Sequence, residues 1–394
     1  GAGDFNNDGF TDIIVGAPGA NKAFVLFGHN PAIRAVSNVL LEDLTAGEVG
    51  FTIIGEAGSA MGYAVSSAGD MNGDGFADFV IGAYGAGTPQ KPESGISYVI
   101  YGARMRGAIN DVNLATFVSD RYVGYRILGA TAYDMSGVSV SGTGDVNGDG
   151  VDDVIIGASQ ADPSIDGIAR DSAGIGFISY GRKIEPTDPP RSDVNLFSYG
   201  DGFKILGAHA NENLGSTMSG AGDVNDDGIA DIIIGARFAS GSNGVLTPGA
   251  SYVIFGKRTP FSDVDLLTMK TGASTGFRII GAAESDYCGI SVSTAGDVNG
   301  DGVGDVVVGS YLYNNDAGAA YVLFGKQGTV PNVNVQAMVS GPTTGFRIFG
   351  ANSNDNLGVS VSGAGDVNGD GRSDVVVGAY MADALGRTDA GISY

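Results

Sequence analysis

Six nine-residue stretches carry the side chains that could do chemistry, and each reads Asp-x-Asn-x-Asp-Gly-x-x-Asp. In chain order the oxygen donors are Asp4, Asn6, Asp8 and Asp12; Asp70, Asn72, Asp74 and Asp78; Asp145, Asn147, Asp149 and Asp153; Asp223, Asn225, Asp227 and Asp231; Asp297, Asn299, Asp301 and Asp305; and Asp366, Asn368, Asp370 and Asp374. Position seven (Phe10, Phe76, Val151, Ile229, Val303, Arg372) adds a backbone carbonyl. An all-oxygen set at positions one, three, five, seven and nine suits Ca²⁺, not the nitrogen and sulfur preferences of zinc. Mg²⁺ fits less well, because it demands tight octahedral geometry and keeps its waters. Glycine at position six (Gly9, Gly75, Gly150, Gly228, Gly302, Gly371) supplies the sharp turn such a loop needs.

Two competing readings fail on the residues. An EF-hand requires Glu at position twelve and flanking helices. Here position twelve is Val15, Ile81, Ile156, Ile234, Val308 or Val377, inside runs such as DVIIGA that read as buried strands. Plain hairpin turns need only one or two Asx or Gly residues, not three carboxylates that repel one another without a cation. The expectation is therefore about six structural Ca²⁺ ions, on loops that join strands.

The formal charge of −23 looks extreme, but the loops hold 18 of the 44 acidic residues. Six Ca²⁺ would reduce the charge to about −11 once the ions are counted in the field. Nucleic acid and anionic membranes are poor partners for such a chain, and no transmembrane run points to membrane insertion. Cys288 is the single cysteine, in a place taken by Leu214 and Leu357 in sibling copies, so it reads as a small buried filler. Calcium sites of moderate affinity belong where calcium is millimolar, which points to an extracellular or cell-surface location. No signal peptide or Asn-x-Ser/Thr sequon is visible, and the chain starts inside one loop and stops partway through a repeat, as a fragment would.

The loops recur at spacings of 66, 75, 78, 74 and 69 residues. In the second copy four strands are expected: Tyr63–Ser67, Phe79–Ala83, Ile96–Tyr101 and Tyr125–Leu128. Sheets of this kind, apolar on both faces, must stack on their neighbours, and four strands per unit make a β-propeller blade. A solenoid would need shorter, more regular repeats. The fold class is thus all-β: a β-propeller of four-stranded antiparallel blades, with units near 1–55, 56–129, 130–207, 208–281, 282–350 and an incomplete 351–394.

Phe-Gly or Tyr-Gly closes the third strand (Phe27-Gly28, Tyr101-Gly102, Phe255-Gly256, Phe324-Gly325), and Gly-Ala follows the second (Gly16-Ala17-Pro18, Gly82-Ala83, Gly157-Ala158, Gly235-Ala236, Gly378-Ala379). With the acidic loop before Gly-Ala, the chain resembles the FG-GAP repeats of integrin α-subunits and of large bacterial surface proteins. The Asp-Val-Asn-Leu type segments (Asp111–Leu114, Asp193–Leu196, Asp263–Leu266) look closer to the bacterial style. The resemblance implies a propeller, usually seven-bladed, with calcium on one face. About six blade equivalents are visible here. Every copy carries the loop, whereas integrin α-subunits have it in only some blades, and there is no inserted domain.

Alternating connections put the calcium loops and the three-to-four linkers on one face. The variable two-to-three loops (84–95, 159–174, 237–249, 311–318, 380–391) and the crossovers emerge on the other. Tyr84, Arg237, Tyr311 and Tyr380 follow Gly-Ala or its Gly-Ser equivalent as candidate partner anchors, beside Tyr133, Asp134, Glu212, Asp286, Tyr287 and Asp355 in the crossovers. The expected function is adhesion or ligand binding to a protein or carbohydrate at a cell surface or matrix. The alternative is an architectural segment that self-associates in a fibre. A propeller hydrolase or lyase is disfavoured, because His29 and His209 form no evident pair or triad and no Gly-x-Ser-x-Gly motif occurs near them.

Overall fold

The structure, a computed structural model, describes residues 1–394 apart from 30–38, 45, 48, 103–110, 186, 199, 241–246, 270–274 and 385–386. Parts of the loops 237–249 and 380–391 therefore lie outside the described residues. Two compact units are formed: residues 1–144, 150–161 and 177–203 in one, and 145–149, 162–176 and 204–394 in the other.

In the first unit the second copy shows the repeat in full. Ala64–Gly69, Asp78–Ala83, Ile96–Ile100 and Gly124–Leu128 pair antiparallel in that order, with Val65 opposite Ile81, Ile81 opposite Tyr98 and Tyr98 opposite Arg126. The second strand is buried on both faces, as its unbroken apolar run requires. The first copy contributes Ile13–Ala17, Lys22–Leu26 and Gly50–Ile54. Phe5, Phe51, Phe79, Ile81 and Ile100 pack into one core. In the second unit Thr217–Gly222, Asp231–Ala236, Ala250–Ile254 and Gly276–Ile280 repeat the order, as do Val292–Gly296, Asp305–Ser310, Ala319–Leu323 and Gly345–Phe349. Ile233, Val253, Phe277, Val308 and Tyr321 share a core there, with Cys288 fully buried in it. These are the antiparallel blades of the all-β propeller class expected from the sequence.

One element goes beyond the four-strand expectation. The Asp-Val-Asn-Leu type segments form a fifth strand, two residues long and parallel to the fourth strand of the preceding copy. Val112 pairs with Ile53, Val194 with Ile127, Val264 with Ile205 and Val333 with Ile279. Asp111, Asp263 and Asn332 open three of these segments and accept the backbone N–H of Thr52, Lys204 and Arg278 at 2.8, 2.9 and 2.7 Å. Each copy thus finishes the sheet of the one before it.

The Gly-Ala glycine has a packing reason. A Cβ on Gly82 would stand 2.0 Å from the Gly137 carbonyl oxygen, and one on Gly309 would stand 1.9 Å from that of Gly358. The next sheet approaches too closely for any side chain there.

Candidate metal centres

Each loop leaves its first strand through a β-bulge. Register shifts between Ser67 and Gly69, Gly220 and Gly222, Thr294 and Gly296, and Gly363 and Gly365. The glycine before position one sits at φ between 68° and 75° (Gly3, Gly69, Gly144, Gly222, Gly296, Gly365). The position-six glycines sit at φ between 80° and 91°, with open space where a Cβ would stand, so conformation alone selects glycine. Position four is left-handed as well. Its occupants, Asn7, Gly73, Gly148, Asp226, Gly300 and Gly369, are the residue types that tolerate this at least cost. That regularity was visible in the sequence.

Hydrogen bonds repeat from copy to copy. In loops one, two, four, five and six, the position-one carboxylate accepts the N–H of position five at 3.0–3.1 Å and that of the position-six glycine at 2.7–2.9 Å. The asparagine Oδ1 accepts the same position-five N–H at 2.8–3.1 Å, and its Nδ2 donates to the position-five carboxylate at 2.9–3.2 Å. The third loop is divided between the two units. Asp145 accepts from Gly148 and Asp149 in one, and Asp153 accepts from Gly181 in the other.

Position nine behaves differently from the other two acids. Asp12, Asp78, Asp231 and Asp305 are fully buried. In each, Oδ2 accepts the position-two N–H (Phe5, Met71, Val224, Val298) at 2.8–2.9 Å, and Oδ1 accepts the N–H of the glycine closing the third strand (Gly28, Gly102, Gly256, Gly325) at 2.7–2.9 Å. The Phe-Gly half of the signature is thus a hydrogen-bond donor to the loop's last acid. Burial raises these carboxyl pKa values, to about 7 for Asp231 and about 6 for Asp305. The backbone N–H groups oppose the rise, and the other loop carboxylates add to it. As placed, the three acids of a loop do not converge: among the described residues no group of three or more His, Cys, Asp or Glu stands ready to hold a metal.

The donor set nevertheless fits a hard cation. In loops one, two, four, five and six the carboxylates at positions one and five have no lysine or arginine ion pair among the described residues. Each oxygen that takes one N–H keeps a further lone pair. Adjacent loops are also joined. The position-one carbonyls of Asp4, Asp70, Asp145, Asp223 and Asp297 accept the position-eight N–H of the next loop, from Ala77, Asp152, Ala230, Gly304 and Ser373.

At the other end of the sheets, each crossover is bonded to the two-to-three loop before it. Tyr133, Met135 and Ser136 donate to Pro92, Glu93 and Ser94; Asn211, Asn213 and Leu214 donate to Asp171, Ser172 and Ala173. Candidate anchors stand on this frame. In the second unit Arg237 lies over Phe238 (4.8 Å), Phe238 meets Tyr287 edge-on (5.2 Å) and Tyr287 meets Tyr311 (6.0 Å). Tyr380 is 49% exposed. In the first unit Tyr84 packs edge-on against Tyr63 at 4.8 Å. The acids expected beside these anchors are not surface groups. Asp134, Glu212, Asp286 and Asp355 are 6%, 1%, 3% and 5% exposed. Three of them accept N–H groups of their own crossover turns, from Thr131, Ala283 and Asn352, and Glu212 meets His209 at 2.9 Å.

Comparison with known proteins matches this chain to the FG-GAP repeat at residues 1–30, 61–100, 136–178, 289–323 and 357–394. The fourth copy lies outside those stretches yet carries the same loop and the same bonds. Integrin alpha pat-2 of Caenorhabditis elegans is 28% identical over 260 residues, which cover 64% of this chain and 18% of that protein. Phosphatidylinositol-glycan-specific phospholipase D of Dictyostelium discoideum is 28% identical over 294 residues, 74% of this chain and 29% of that protein. Integrin alpha-PS2 of Drosophila melanogaster is 27% identical over 239 residues, 59% and 16%. The matched stretches thus span less than a third of each of these relatives.

Proposed function

We propose, for a chain built from FG-GAP repeats of the integrin α-like kind, a calcium-stabilised extracellular module of adhesion or ligand recognition. The observation that carries the reading is the conserved geometry inside the chain. Five loops present an unpaired pair of carboxylates, an amide oxygen and a carbonyl, all set by the same backbone bonds. Calcium there has a structural role. It neutralises the acids at positions one and five, takes the amide oxygen of position three and the carbonyl of position seven, and uses free lone pairs of the position-nine carboxylate. Binding then stabilises the folded chain directly.

The partner surface is the end bearing Tyr84, Arg237, Tyr311 and Tyr380, where a frame of backbone bonds holds aromatic and guanidinium groups of the kind that anchor interfaces. The likeness to integrin α-subunits supports adhesion over an enzymatic role. The likeness to a phospholipase D supports a second reading, in which the same module accompanies a lipid-anchor hydrolase.

Calorimetric titration with Ca²⁺, paired with thermal unfolding in calcium and in chelator, tests the metal. Close to six ions per chain and a melting point that falls sharply in chelator are expected. An unchanged melting point and no bound calcium would remove the proposal.

A further inference from the structure

Junctions between consecutive sheets can be compared position by position. Where the second copy meets the third, Lys91 from the two-to-three loop sets its Nζ 2.7 Å from the Ala130 carbonyl oxygen and 5.1 Å from the Phe197 ring. Where the third meets the fourth, Arg170 occupies the same place in its loop, two residues before left-handed Ser172 as Lys91 is before left-handed Glu93. It donates to the Gly207 carbonyl at 2.8 Å and pairs with Asp265 at 2.6 and 3.0 Å. Both junctions seat one of the chain's own cations on the crossover.

The surroundings of Arg170 recur once more. Glu212 and Arg278 act on Tyr252 there, and Asp286 and Arg347 act on Tyr321 where the fourth copy meets the fifth. The loop before that junction, residues 237–249, contains no lysine or arginine beyond Arg237, and Arg237 lies over Phe238. A cavity of ≈ 270 Å³ stands there, lined among others by Ala282, Ala283, Asp286, Tyr321, Gln336 and Arg347. Ala282 corresponds to Ala130 and Gln336 to Phe197, so the cavity holds the place of the Lys91 ammonium. Asp286 lies buried in its wall, its carboxylate accepting the Ala283 N–H at 2.6 Å. Burial pushes its pKa to about 6, and no cation is among the groups that act on it.

We propose that this cavity binds an alkylammonium or alkylguanidinium group supplied from outside, in the place that Lys91 and Arg170 fill from within. Asp286 and the crossover carbonyls receive its N–H groups. Arg347 does not exclude it, because Arg278 holds the equivalent position at the junction where Arg170 docks. The proposal deepens the recognition reading above by naming a chemical group of the ligand, and rests on that reading only for the case of a polypeptide partner.

Saturation-transfer NMR on the full chain in calcium tests it. The probes are Nα-acetyl-lysine methylamide, Nα-acetyl-arginine methylamide and agmatine, with Nα-acetyl-norleucine methylamide as the neutral control. Saturable binding of a cationic probe near ~1 mM is expected, since one desolvated ion pair supplies about 4 kcal/mol at most. Asp286→Asn keeps an acceptor for Ala283 and should weaken binding about tenfold or more. Gln336→Lys should abolish binding by supplying an ammonium in place, with Asp286 untouched. Preference for the capped amino acids over agmatine assigns a side chain of a polypeptide, and the reverse assigns a free amine. Equal binding of the norleucine control, indifference to both substitutions, or no binding of any probe overturns the proposal. Calcium titration of the same samples reports on the metal loops separately, so normal calcium binding without probe binding removes the cavity proposal alone.

Discussion

The position-nine aspartates separate two roles that one motif combines. Asp231 serves the N–H groups of Val224 and Gly256 whether or not an ion is present, while Asp227 accepts only from its own loop. Asp231→Asn leaves one acceptor oxygen for two buried N–H groups and turns an NH₂ toward one of them. We expect a loss of about 2–3 kcal/mol in urea unfolding, in calcium and in chelator alike. Asp227→Asn should cost little in chelator and remove part of the gain that calcium brings. A calcium-dependent loss at Asp231 with none in chelator would make it a ligand only. Glycines divide similarly. Gly82→Ala drives a Cβ into the Gly137 carbonyl and should cost at least about 3 kcal/mol. Gly75→Ala meets no atom and should cost about 1–2 kcal/mol through its left-handed φ. Equal losses in denaturant titrations would refute that distinction.

At the scale of elements, the strands were legible because β-branched runs bounded by glycine leave little choice. Ile96–Ile100 and Gly124–Leu128 lie within a residue of their expected bounds. The fifth strand was not legible, since two residues carry no periodicity and Val-Asn-Leu reads equally well as linker. The loop donors were readable from spacing, but the inward turn of position nine was not. It depends on Gly28, Gly102, Gly256 and Gly325, which lie 16, 24, 25 and 20 residues away. The crossover acids were misplaced on the surface for a related reason: a carboxylate that caps its own turn looks the same in sequence as one facing solvent. The Arg170–Asp265 pair also joins distant elements, at 11% and 16% side-chain exposure. The hydrogen bond from Arg170 holds the Asp265 carboxyl below its ordinary range. A depressed folded value means this pair stabilises above the ordinary carboxylate range and loses that contribution as pH falls through it. Asp265→Asn should cost about 1–3 kcal/mol at neutral pH, with the gap to wild type closing in acid. A gap independent of pH would show that packing, not charge, holds the linker.

For the whole molecule, stability is expected to spread along the chain through nearest neighbours rather than through one common core. The position-two side chains show the dependence: Phe5, Met71, Val146 and Val224 are at most 4% exposed, whereas Val367 is 73% exposed. Amide exchange should therefore be fastest around the sixth loop and slowest in the second strands, Asp78–Ala83 and Asp231–Ala236. Uniform protection across all six loops would contradict this.

The fifth strand and the loop-to-loop bonds share one direction: copy n is finished by groups from copy n + 1, through Val112 on Ile53, Val264 on Ile205, and Ala77 and Gly304 on the loops before them. A ribosome delivers copies in that same order. Each repeat must then wait, as it emerges, for roughly one further repeat length before its outer strand and its loop are secured, so that maturation trails synthesis by one unit. A stalled or clipped chain would carry one unfinished blade, always the last, and its bare edge would be the place where quality control or a neighbouring chain finds it.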